Sequence, residues 1–69
     1  MKKYVVVIER TDTGFSAYVP DLPGCVAAGD TIDETENLIR GAIEMHVRGL
    51  REDGIEAPDP SIIREIEVA

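Results

Sequence analysis

The chain has 69 residues, 14 acidic against 7 basic, one cysteine and one histidine, with a formal net charge of −7. A single domain of this size buries only about 60% of the surface its unfolded form exposes. With one cysteine and one histidine, an internal disulfide and a Cys/His zinc site are excluded as reinforcement, so an oligomer is expected.

The opening "MKKYVVVIER" is too short and too soon interrupted by Glu9 to be a signal core, and no run approaches the roughly 20 apolar residues of a membrane helix. A cytoplasmic protein is expected. Residues 3 to 10, "KYVVVIER", are rich in β-branched residues and predict a first strand. It is apolar on both sides, with Tyr4, Val6 and Ile8 on one and Val5 and Val7 on the other, the pattern of a strand covered on both faces. One helix covers one face only, so Val5 and Val7 are expected in a homo-oligomer interface, a dimer or higher.

"TDTG" supplies turn chemistry, with Gly14 free to take a positive φ, and residues 15 to 19 form the second strand of a hairpin. Pro20 ends it. Pro23-Gly24 then sets a turn, and residues 25 to 29 predict a short third strand closed by Gly29.

Thr31 followed three residues later by Glu34 is a capping box, with Asp33, Glu34 and Glu36 suited to a helix N-terminus. The helix runs from about 32 to 53, with Ile39, Ala42, Ile43, His46 and Leu50 as its apolar stripe and Gly54 as its stop. Glu36, Arg40, Glu44, Arg48 and Glu52 recur at i,i+4 with alternating sign, the mark of a solvated face. After Pro58 and Pro60, residues 62 to 68 alternate and predict a fourth strand. The expected fold is α+β: a three-stranded antiparallel meander, one long helix, and a fourth strand parallel to the first in spatial order 3-2-1-4.

Residues 19 to 34, "VPDLPGCVAAGDTIDE", concentrate the candidate chemistry. A nucleophilic Cys25 needs a base, and His46 lies on the helix stripe, so a small buried cysteine is the better assignment. Asp21, Asp30, Asp33 and Glu34 do not have calcium-loop spacing, and "GCVAAG" lacks the GKS/T end of a phosphate loop. No catalytic, metal or cofactor residue is assigned. Pro20, Pro23, Gly24, Gly29, Thr31 and Glu34 are expected to build a rigid corner and helix cap, and a rigid corner loses little entropy on meeting a partner. The seven basic residues are scattered, which disfavours direct nucleic-acid binding and favours a basic protein partner.

"GFSAYVPDLPGCVAAGDTIDE", together with "AIEMHVRGLREDG" and "APDPS", resembles the HicB-like antitoxin family over nearly the whole chain. The resemblance implies a single domain with a partial ribonuclease-H-like half-fold, and a non-catalytic role in a type II toxin–antitoxin system. The partner so implied is a small basic HicA-like mRNA-cleaving toxin, whose active site the antitoxin masks. Glu9, Asp12, Asp21 and Leu22 are the expected contacts. Longer family members carry a C-terminal DNA-binding domain; this chain is expected to be a short member without it, so operator binding is not carried over. Two alternatives stand beside this: an orphan self-assembling regulatory or structural module without a toxin, and a residual metal-dependent nuclease, which would need clustered carboxylates.

Overall fold

In the computed structural model, which describes residues 2–69, three strands and one helix follow in the order β1 (Val7–Arg10), β2 (Phe15–Tyr18), β3 (Val26–Gly29) and α1 (Ile32–Glu52). The sheet is antiparallel with spatial order β1-β2-β3. Val7 pairs with Tyr18 and Arg10 with Phe15; Tyr18 pairs in turn with Val26, and Phe15 with Gly29.

The first hairpin closes through Thr11, whose amide donates to the Gly14 carbonyl at 2.8 Å and whose hydroxyl accepts from the Gly14 amide at 3.0 Å. Gly14 is needed for space and not for the positive φ that the turn chemistry suggested. Among the described residues, only Gly24 (84°) and Gly54 (72°) take positive φ. A Cβ on Gly14 would stand 2.3 Å from the carbonyl oxygen of Gly29, so the loop lies directly against β3.

Helix α1 starts and stops as the sequence dictates. The Thr31 hydroxyl accepts from the Glu34 amide at 3.1 Å, and a Glu34 carboxylate oxygen reaches back to the Asp30 amide at 3.4 Å. The return bond thus goes one residue earlier than in the usual capping box. At the other end the Gly54 amide donates to Arg51 O and the Ile55 amide to Leu50 O, a full Schellman closure.

Ala17, Val19, Leu22, Cys25 and Ile39 form the buried core, with Tyr4, Val6, Ile8, Ala42, Ile43 and Val47 packed around it. Thr35 is also fully buried; its hydroxyl donates to the Thr31 carbonyl at 2.7 Å and so enters the core satisfied. Glu36, Arg40, Glu44, Arg48 and Glu52 are all exposed, as their spacing requires.

Two expectations are corrected. The first strand is shorter than residues 3 to 10, because the partner strand turns away after Tyr18 into the Pro20 corner. The ladder therefore begins at Val7, while Tyr4 and Val6 still pack on the core. More important, among the described residues, 62 to 68 form no fourth strand, so the 3-2-1-4 order is not formed, while the three-stranded antiparallel meander and the one long helix stand. The cause lies in how the chain is tied before it reaches Ile62.

Candidate functional site

The corner between β2 and β3 is two turns sharing one residue. The Leu22 amide donates to the Val19 carbonyl and the Cys25 amide to the Leu22 carbonyl, each at 3.1 Å. Each turn has a proline at its second position, Pro20 in one and Pro23 in the other, where the fixed φ of the ring is already correct. Gly24, at φ 84°, supplies the positive φ that the second turn demands. The Val19 amide donating to Cys25 O at 3.2 Å closes the base of the loop onto the sheet. Leu22, the shared residue, is only 1% exposed and plugs the corner from inside.

Asp21 stands at the outer tip and is already engaged. One carboxylate oxygen accepts from the Ser61 amide at 2.7 Å and the other from the Ser61 hydroxyl at 2.6 Å. These hydrogen bonds hold the Asp21 carboxyl below its ordinary range. Further back, the Tyr4 hydroxyl donates to Pro58 O at 2.6 Å, Lys2 donates to Ala57 O, and Lys2 pairs with Asp59 at 3.4 Å. Residues 57 to 61 are thus strapped from the start of the chain to the β2–β3 corner. That strap carries the chain past the end of β1 and leaves residues 62 to 68 outside the sheet.

Gly29 completes the corner by close packing: a Cβ there would meet Thr35 Oγ1 at 2.7 Å. The helix N-terminus is thereby seated on the end of β3. Cys25 and His46 line one shallow groove together with Ala42 and Met45. Cys25 is buried, and burial pushes its thiol above the usual value, the opposite of what an activated nucleophile requires. Among the described residues no three His, Cys, Asp or Glu side chains gather as a metal site.

On the sheet face away from α1, Val7, Tyr18 and Val26 are direct cross-strand neighbours, and Val5 and Glu9 flank Val7 on the same side. Tyr18 is 42% and Val26 64% exposed, while Val5 and Val7 are half-buried. Of the expected contacts, Glu9 and Asp12 are exposed at the β1–β2 hairpin, Asp21 is tied to Ser61, and Leu22 is inside. The structure brings Asp21 and Leu22 together and leaves Glu9 and Asp12 on a different edge. Sequence reasoning missed Thr35 and Val47 in the core, and Tyr18 and Val26 beside Val7. Strand alternation carried the signal for the latter two. Ser61 had none, since its partner lies 40 residues away.

A rigid proline-turn corner, a one-sided helix and an uncovered apolar sheet face define a small α+β recognition module. The chain belongs to the HicB-like antitoxin family: the family described as "HicB_like antitoxin of bacterial toxin-antitoxin system" matches residues 4–69. It is 37% identical over 65 residues to a UPF0150 protein of Helicobacter pylori, covering 91% of this chain and 90% of that one. It is also 39% identical over 62 residues, 90% of this chain, to a 14.9 kDa protein of the rep-hol intergenic region of Haemophilus phage HP1. There the chain spans about half, 47%, of the relative's length. Among solved structures it is similar to a chain of the "HicA3 and HicB3 toxin-antitoxin complex", with TM-score 0.64 and 32% identity over 90% of this chain and 70% of that chain. No helix among the described residues is long and apolar enough to cross a membrane.

Proposed function

We propose that this chain is a non-catalytic antitoxin module that binds a small basic HicA-like toxin and masks its mRNA-cleaving site. The observation that carries the proposal is the 32% identity, across 90% of the chain, to a chain of a toxin–antitoxin complex. The charge of −7 supports it, since an acidic protein competes for the surface on which a ribonuclease holds RNA phosphates. The same charge argues against direct nucleic-acid binding by this chain.

Glu9 and Asp12 are the contacts we assign to the toxin, because both are exposed on one hairpin. Asp21 and Leu22 act through the corner they shape. Recovery of the tagged protein from its native cell at natural abundance tests the proposal. A small basic ribonuclease in stoichiometric amount supports it, and its loss with the double variant Glu9→Lys/Asp12→Lys supports the assigned contacts. Recovery of the protein alone favours the second reading, an orphan self-assembling module, for which the open Val7–Tyr18–Val26 row speaks.

A further inference from the structure

Residues 62–69 belong to no strand or helix, and Ile62, Ile66 and Val68 are 79%, 82% and 84% exposed. Their alternation places these three apolar side chains and Arg64 on one face of an extended segment, with Ile63, Glu65 and Glu67 on the other. A β-branched segment with this pattern is suited to a sheet, and within its own chain it has none.

The dimensions of the whole chain carry the same signal. A folded monomer of 7.5 kDa exposes about 4,200 Å², whereas this chain exposes 5632 Å². The excess, about 1,400 Å² per copy, doubles over two copies into the size range of obligate homodimer interfaces. The radius of gyration is 13.5 Å, against about 11 Å for a compact chain of this length.

A receiving surface exists on the same molecule. β1 is an edge strand. Helix α1 packs on β3 and β2 and scarcely reaches β1, and a groove of about 620 Å³ opens between α1 and the residues that lead into β1, lined by Tyr4, Ile43 and Val47 together with Lys2, Arg48 and Arg51. Within its own copy the segment pairs with no strand. Ser61 is fixed to Asp21 at the β2–β3 corner, on the far side of β1 from its free edge.

We propose that residues 62–68 of one copy add as a strand to the free edge of β1 in a second copy, with Ile62, Ile66 and Val68 entering the groove between that strand and α1. The exchange is reciprocal, because every copy carries both the segment and the groove, and a two-fold dimer closes it. The groove carries Lys2, Arg48 and Arg51 beside Glu44 and Glu56, so the apolar pattern and not charge carries the fit. Pro58 and Pro60 form the short stiff hinge that favours exchange over folding back. The proposal stands on this chain alone and holds whether or not a toxin is bound.

Sedimentation velocity and a cross-link test it. The protein is expected to be a dimer, and Ile66→Asp a folded monomer by circular dichroism, with dimer dissociation raised by roughly 100-fold. For the cross-link, a tagged copy carrying Glu65→Cys is refolded with an untagged copy carrying Val7→Cys. Glu65 is the midpoint of residues 62–68 and Val7 the midpoint of residues 4–10, the apolar stretch that ends in β1, so they meet whichever direction the added strand runs. A disulfide joining tagged to untagged chains is expected. A monomeric protein, an Ile66→Asp variant that dimerises unchanged, or a disulfide formed within a single Val7→Cys/Glu65→Cys chain overturns the proposal. So does protection of the segment from proteolysis only when a toxin is added.

Discussion

Leu22→Ala separates the two roles that a leucine in an exposed-looking corner can have. Leu22 is 1% exposed, and its backbone is held on both sides by the turns that end and begin at it. Those turns are stiffened by Pro20, Pro23 and the positive φ of Gly24, so the loop has little freedom to collapse into the space vacated. Leu→Ala substitutions at buried sites cost about 2–5 kcal/mol, most where the surroundings relax least, and roughly 3–4 kcal/mol is expected here. A chain of this length has a total stability of about 3–10 kcal/mol. One truncation therefore removes a third or more of the total. With a urea slope near 1 kcal/mol per molar, the midpoint falls by about 3 M. Circular dichroism at one fixed protein concentration measures it, since association contributes to apparent stability. A loss under about 1 kcal/mol, accompanied by weaker toxin binding, would refute the argument and return Leu22 to the surface as a contact.

Other predictions follow from single residues. The Asp21 carboxyl titrates below its ordinary value of 3.8 in the folded chain because Ser61 donates to its charged form. Its contribution is thus complete above that value and is lost as pH falls through the lower folded one. The protection of the Ser61 amide, its exchange measured against the intrinsic rate at each pH, is expected to fall in that acid window, and Asp21→Asn is expected to remove this change in protection. Gly14→Ala, whose Cβ would stand 2.3 Å from a backbone oxygen, is expected to cost about 1–3 kcal/mol. Gly41→Ala lies in α1 with nothing within 4 Å and is expected to stabilise by about 0.5–1 kcal/mol. Thermal melts of the two variants check both signs.

The elements legible in the sequence were those specified by neighbouring residues. The Thr31–Glu34 cap, the Gly54 stop and the Pro-Gly turn at Gly24 each follow from bonding within a few positions, and each stands as expected. The core stripe of α1 was legible at Ile39, Ala42 and Ile43; Thr35 escaped because a hydroxyl that donates to its own helix does not look apolar. Gly14 was identified as a turn residue for the wrong reason, since only the fold shows β3 pressing against it. Residues 62–68 have a strand's alternation, but alternation fixes a conformation and not a neighbour. What removes them from the sheet is the Asp21–Ser61 tie, a contact between positions 40 apart. The same distance dependence explains why Glu9, Asp12, Asp21 and Leu22, grouped as contacts from the sequence, fall into two separate places in the fold.

The proposed neutralising role is tested most directly by RNA cleavage. The purified HicA-like toxin from the same cell is incubated with a messenger RNA while this protein is titrated in. Cleavage is expected to stop at the stoichiometry of the complex and to resume with Glu9→Lys/Asp12→Lys at the same concentration. Undiminished cleavage at saturating amounts of a correctly folded protein would contradict the antitoxin function.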